Sequence, residues 1–237
     1  MGPAEVPGNS LGDRTSTQLR GQSLTLVIPL GSIEQHGPHL PLDTDTRIAT
    51  AVAGDVAHHL GYLVAPPIHY GASGEHQGFP GTISLGTAAL TAVLTEYGRS
   101  ACEWAQRMVF VNGHGGNLDA LRAAVGLLRR EGRDVTWCVC SVAGADAHAG
   151  HTETSVLLHL SPADVRSGEA APGNAEPLAA LMPRMRSGGV VAVSESGVLG
   201  DPTTATAEAG ALLFEQMVAD CLSRITRWAP DGDGMLR

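Results

Sequence analysis

The chain is poor in the features that would place it in several large protein classes. Of its 237 residues only 15 are Lys or Arg, against 24 Asp or Glu, for a net charge of -9. So few cations argue against a nucleic-acid backbone or an anionic membrane surface as the main partner. The cysteines are four, Cys102, Cys138, Cys140 and Cys221, scattered without C-x-x-C spacing. That excludes a disulfide scaffold and fits buried thiols in a reducing cytosol. No uninterrupted apolar run approaches the ~20 residues that a membrane span needs. Residues 1–21 are polar and lack the basic start and apolar stretch of a secretory signal. The expectation is a soluble, cytoplasmic protein with a flexible arm over residues 1–21 and a single domain over residues 22–230.

What is present is an ordinary hydrophobic fraction of 43%, arranged in alternating strand and helix patterns. Leu24 to Leu30 is a short, nearly continuous apolar run, as in a strand buried on both faces. Ile48, Val52, Val56 and Leu60 then recur every four residues, which predicts a helix over Thr46 to Leu60. Tyr62 to Pro66 reads as a strand, Ile68 to Leu85 as a long loop, and Thr87 to about Gln106 as a helix. Met108 to Asn112 reads as a strand, Leu118 to about Arg130 as a helix, and Val135 to Val142 as a strand. Further on, Pro172 to Pro183 looks like a loop, Val190 to Val193 like an edge strand and Thr206 to Trp228 like a final helix. The fold class is therefore α/β, with a mainly parallel sheet flanked by helices on both faces. In such sheets ligands bind off the carboxyl ends of the strands.

The polar clusters fall at those ends. Histidine occurs ten times while Trp, Tyr and Phe occur three times each. His36, His39, His76, His114, His148 and His151 all follow strands, mixed with Glu34, Asp43, Asp45, Glu75 and Glu153. Imidazole and carboxylate together suit zinc, manganese or iron(II). Two such ions sharing a carboxylate can activate water and polarise an amide carbonyl. Glu34 and His36 are two apart, so in an extended segment both reach one pocket. Asp43 and Asp45 are related in the same way, and Asp43 reads better as a turn or cap carboxylate. Glycines around His114 permit a tight turn, and the P-loop Lys and the Rossmann spacing are both missing. Glu153 can complete a metal shell, and His148 can move protons between water and a leaving amine. The plain alternative is that Thr152 or Thr154 caps the following helix. His58, His59 and His159 read as structural, and His69 stays open. Ser155 has no G-x-S-x-G setting, which argues against a serine hydrolase.

Four blocks, Leu30-Gly-Ser-Ile-Glu-Gln-His-Gly-Pro-His-Leu-Pro-Leu-Asp-Thr-Asp45, Gly74-Glu-His-Gln-Gly-Phe-Pro-Gly-Thr-Ile-Ser-Leu85, Asn112-Gly-His-Gly-Gly-Asn117 and His148-Ala-Gly-His-Thr-Glu-Thr-Ser155, resemble the creatininase family in wording and order. The resemblance implies a three-layer α/β fold, two divalent metal ions per subunit, hydrolysis of an amide C–N bond and a homo-oligomer, a hexamer or larger. It implies that Glu34 and His36 bind opposite metals, that Asp45 bridges them, that His114 is a further ligand and that His148 transfers protons. The family's namesake has Tyr and Glu after the residue matching His114, the Glu being a ligand. Here stand Gly115 and Gly116, which makes creatinine a poor substrate and Glu153 the nearest replacement carboxylate. Glu75 and His76 read as pocket wall or subunit contact, with a purely structural role an equal alternative.

Within the family, the short chain and Gly197-Val-Leu-Gly-Asp-Pro-Thr203 resemble a peptidase member. That implies a modified, ribosomally made precursor peptide as substrate, cleaved to release a C-terminal Val-Tyr-derived unit. The competing readings are a family amidohydrolase acting on a small cyclic amide or formamide, and a non-catalytic metal-binding oligomeric scaffold.

Overall fold

The computed structural model describes residues 9–237. Its sheet has four parallel strands, β1 (Thr25–Leu30), β2 (Leu63–Val64), β3 (Arg107–Asn112) and β4 (Val135–Val139), in the order β2-β1-β3-β4. Seven α-helices accompany them among the described residues: α1 (Ser16–Leu19), α2 (Thr44–Leu60), α3 (Thr87–Ala101), α4 (Leu118–Arg130), α5 (His151–Leu160), α6 (Leu178–Gly188) and α7 (Ala207–Arg227). Side chains alternate along each strand, so successive residues enter opposite cores. Leu26, Ile28, Leu30, Met108, Phe110, Val135 and Trp137 pack with the apolar faces of α3 and α4. Val27, Val109, Val111 and Cys138 pack with α2, α5 and α7. Both faces are covered, which explains why the strands read as continuous apolar runs. Removing a fully buried side chain such as Leu121 costs about 2–5 kcal/mol as Ala, through lost burial and the cavity left behind.

The strand order also locates the crevice. From β1 the chain crosses through α2 to β2 on one side, and from β3 it crosses through α4 to β4 on the other. The connections therefore diverge between the adjacent carboxyl ends of β1 and β3, the switch point where α/β sheets bind ligands. Close approach is needed there. A Cβ on Gly113 would overlap the Asp45 carbonyl oxygen at the start of α2.

Both sheet edges are closed by the chain itself. The Val64 amide donates to Asn9 O, and Trp137 pairs with Met235. This accounts for one difference from the sequence pattern: Val190–Ala192 form a 3-10 turn instead of an edge strand. No free edge faces them, and Val190 and Val193 instead pack with Leu181 and Leu199 in a small satellite core. Helix α6 occupies much of the stretch expected to be a loop, with Pro183 inside it. Only Leu181 of that helix is buried, so its apolar periodicity was too weak to outweigh the prolines. Strand β4 ends at Val139, earlier than the apolar pattern predicts, and α3 ends at Ala101. Of the segment 1–21, residues 1–8 lie outside the described residues, while Ser16–Leu19 form one helical turn closed by a capping box between Thr15 and Gln18.

Candidate metal centre

Three loops meet at the switch point. The loop after β1 brings Glu34 and His36, both fully buried, and the Glu34 amide is fixed by donating to Leu42 O. Asp45 does not lie in an extended segment as its spacing with Asp43 had implied. Helix α2 begins at Thr44, which places Asp45 in the first turn. There it turns inward, while Asp43 points away and pairs with Arg47 at 2.8 Å. The turn after β3 brings His114. Asn112 and Asn117 hold that turn: Asn112 Nδ2 donates to His114 O at 2.6 Å, and Asn117 Nδ2 donates to Gly31 O and Asn112 Oδ1. Helix α5 brings Glu153 in its first turn. Helix α7 fixes α5 closely enough that a Cβ on Gly210 would overlap Ser155 O.

The side chains converge around Asp45. Its Oδ1 lies 3.1 Å from His36 Nε2, and its Oδ2 lies 3.2 Å from His114 Nδ1 and accepts from Ser32 Oγ at 2.8 Å. Glu34 Oε2 is 3.1 Å from His114 Nε2, and Glu153 Oε2 is 3.9 Å from His36 Nε2. Two sets of donors result, Glu34 with Asp45 and His114, and His36 with Glu153 and His148, each close enough to hold one ion. A third combination, Glu34 with His76 and His148, shares members with both.

The donor set fits a divalent cation on physical grounds. Both Glu34 carboxylate oxygens are buried and have no hydrogen-bond partner, although imidazole nitrogens lie close by. Ion-pair distance without hydrogen-bond alignment is the arrangement of groups facing a common point, and an orphaned buried carboxylate is otherwise costly. His36 Nδ1 faces Glu34 O at 3.1 Å. Donating there leaves Nε2, 3.1 Å from Asp45 Oδ1, as the nitrogen an ion would take in place of its proton, the outer-shell pattern of metal-binding histidine.

Charge tells the same story. Burial alone would depress His36 and His114, yet Asp45 beside the first and Glu34 and Asp45 beside the second lift both to about 10. Asp45, against the effect of its burial, is held well below the usual carboxylate range by His36 and His114. Burial pushes Glu34 and Glu153 up to about 7. Protons thus neutralise a pocket whose carboxylates would otherwise attract a cation. His76 and His148 are kept neutral, His76 down to about 3, by burial and by the neighbouring cationic histidines.

Of the residues noted at the strand ends, the six given a metal or proton-transfer role, Glu34, His36, Asp45, His114, His148 and Glu153, are brought together. His39 is not: it is buried against Thr154 Oγ1 at 2.9 Å. His151 contacts Thr204 instead, and His58, His59, His69 and His159 are exposed. Neither Thr152 nor Thr154 caps α5. Asp146 Oδ1 accepts from the Thr152 amide and Glu153 Oε2 from the Ala149 amide. The room at Gly116 is taken by a neighbour, since a Cβ there would overlap Ala72 O and sit 2.6 Å from Glu75 Oε1. Glu75 Oε1 itself comes within 3.5 Å of His114 Nε2. Sequence reasoning missed Gln35, Ser32 and Asn117. Gln35 and Ser32 adjoin or precede the singled-out carboxylate and imidazole in a stretch with almost no exposed residue, a signal visible only once burial is known.

The family model described as Creatininase: Creatinine amidohydrolase matches residues 13–225, and the chain belongs to the creatininase family. It is a hydrolase of C–N bonds, as that family's amidohydrolases and peptidases are. Within the family it is 64% identical over 234 residues to the mycofactocin precursor peptide peptidase of Mycolicibacterium smegmatis, covering 96% of this chain and 95% of that protein. It is also 64% identical over 236 residues to the protein of that name from Mycobacterium tuberculosis H37Rv, covering 95% and 94%. Among solved structures, one titled Creatininase Mn superposes with a TM-score of 0.79 at 27% identity, covering 94% of this chain and 100% of that one. A mutant creatininase of Zn-Zn type gives the same TM-score and identity, covering 94% and 99%.

Proposed function

We propose that this protein is a metal-dependent peptidase that cleaves the modified mycofactocin precursor peptide and releases its C-terminal Val-Tyr-derived unit. The observation that carries the metal assignment is Asp45, whose two oxygens face the two imidazoles His36 and His114 from opposite sides. Glu34, Asp45 and His114 would hold one divalent ion, and Asp45, His36 and Glu153 a second. Manganese, zinc and iron(II) all suit such donors. The bound ions supply Lewis acidity, polarising the amide carbonyl and making water acidic enough to attack.

The protein's own part is positioning and proton transfer. His148 Nε2 donates to Gln35 O at 2.7 Å, which leaves Nδ1 bare on the site side. That nitrogen takes a proton from the attacking water as its oxygen bonds to the carbonyl carbon. It returns the proton to the departing nitrogen as the C–N bond breaks, so one water is consumed and a carboxylate and an amine leave. The 64% identity over nearly the whole chain supports the peptide substrate, and the open space beside Gly115 leaves room for one. No helix among the described residues is long and apolar enough to cross a membrane, which fits a cytoplasmic setting. Exposed Tyr70, Ile83 and Leu85 on the loop between β2 and α3 fit a homo-oligomer, whose size light scattering would measure.

The deciding experiment incubates the metal-loaded protein with the modified precursor peptide, creatinine and a formamide, with metal content measured in parallel. Release of the C-terminal unit from the peptide alone is the expected result. Hydrolysis of only the small amides would favour another amidohydrolase of the family, and bound metal with no hydrolysis would favour a binding scaffold.

A further inference from the structure

Gln35 sits between the two carboxylate and imidazole residues of the first loop, yet its side chain does not join their set. It is 5% exposed and makes a closed set of hydrogen bonds that leaves no choice of proton positions nearby. Its Oε1 accepts from the Gly37 amide at 2.9 Å, which fixes which end of the amide is nitrogen. Its Nε2 then lies 2.9 Å from His76 Nδ1, 3.1 Å from Gly197 O and 3.0 Å from His148 Nε2. An amide nitrogen has two hydrogens. His148 Nε2 cannot accept either, because it lies 2.7 Å from Gln35 O, a distance that requires the ring nitrogen to be the donor. The two hydrogens therefore go to Gly197 O and His76 Nδ1. With Nδ1 accepting, His76 carries its own proton on Nε2, which lies 3.3 Å from Glu34 Oε1. A Cβ on Gly197 would overlap the Gln35 amide, so the fit around this side chain is tight.

We propose that Gln35 is a positioning residue that sets the tautomers of His76 and His148, so that the donor His76 Nε2–H and the bare acceptor His148 Nδ1 flank Glu34 Oε1. The consequence is a division of labour. His148 is the proton carrier, oriented by a backbone carbonyl much as a catalytic base is oriented by a third group. His76 is a fixed neutral donor, available to the carbonyl oxygen as negative charge builds on it. A protonated Nε2 cannot bind metal, so the combination of Glu34, His76 and His148 holds no third ion. The chemical role deepens the peptidase reading and rests on it; the tautomer assignment stands independently.

Long-range proton–nitrogen NMR on the metal-free, histidine-labelled protein tests the assignment directly. Both His76 and His148 are expected to be protonated on Nε2, and a His76 proton on Nδ1 would overturn the proposal. Gln35→Glu removes the donor and is expected to move the His76 proton to Nδ1. It should lower kcat about 10²-fold with KM for the precursor peptide and metal content within about twofold. Gln35→Met, which can neither donate nor accept, should lose activity similarly. Wild-type kcat in both variants would overturn the proposal. If a variant does not fold, the wild-type spectrum still decides. A wild-type protein inert toward the peptide would defeat the functional reading while leaving the tautomer result readable.

Discussion

The two halves of the metal centre are built to different standards. Around His114, Glu34 and Asp45 are almost completely buried, and Ser32, Asn112 and Asn117 pin them through hydrogen bonds between the loops after β1 and β3. Around His36, the second carboxylate is Glu153, whose side chain is 22% exposed and which comes from a helix on the far side of the sheet's connection. Its Oε2 also accepts from the Ala149 amide at 2.6 Å, and Ala149 itself is held at φ 52, a conformation unfavourable for a side chain with a Cβ. One half is part of the sheet's own architecture; the other depends on the docking of α5 by α7. The lesson is that the two ions proposed for these halves are expected to bind with unequal strength.

The sharpest way to break the comparison is to remove the residue common to both halves. Asp45→Ala is expected to lower kcat/KM by ~10⁴-fold and to empty both positions, read by metal stoichiometry with circular dichroism as the folding control. Retention of one full equivalent of metal would show that Asp45 serves only one half. Glu153→Ala should act on the weaker half alone, reducing activity by ~10²-fold and bound metal from two equivalents toward one. His114→Ala should instead disturb the more buried half, so the pair of variants tells which half carries the tighter ion.

Proton linkage gives a third test. In the metal-free protein His36 and His114 are lifted to about 10, so at pH 7 both hold a proton that a metal must displace. Affinity should therefore strengthen as pH rises from 6 to 9 and weaken as it falls, because protons compete at lower pH. Glu34 and Glu153, pushed up to about 7, steepen the dependence at its acid end. Calorimetry in buffers of different ionisation enthalpy should show more than one proton released per metal-binding event at pH 7. The smallest effect is expected at Asn117. Asn117→Ala strands the Ala72 amide and the Gly31 carbonyl, which costs about 1–3 kcal/mol, visible in thermal or urea unfolding.

Much of the site was legible because its chemistry is carried by unusual residues at strand ends. Glu34, His36, His114, His148 and Glu153 were all picked out by residue type and position, and α4 was placed from Leu118 to Arg130 by its strong amphipathic period. Asp45 was identified but for an incomplete reason: its inward direction comes from the first turn of α2, which reaches back to Thr44. Gln35 was passed over because an amide side chain has no titratable or ligating signature. Its importance lies in four partners, His76, His148, Gly197 and Gly37, three of them remote in the chain. The strand reading at Val190 failed because pairing depends on a free sheet edge, which local pattern does not reveal.

By itself the amino-acid sequence determined the alternation of strands and helices, the family and the stock of ligands, since each depends on local periodicity or on residue type. Only the tertiary structure decided how those ligands divide. The switch between β1 and β3 sets the facing directions of Asp45, the packing of α7 on α5 delivers Glu153, and the hydrogen bonds of Gln35 place the protons on His76 and His148. Those outcomes are set by distances between loops far apart in the chain, and no spacing within one motif encodes them.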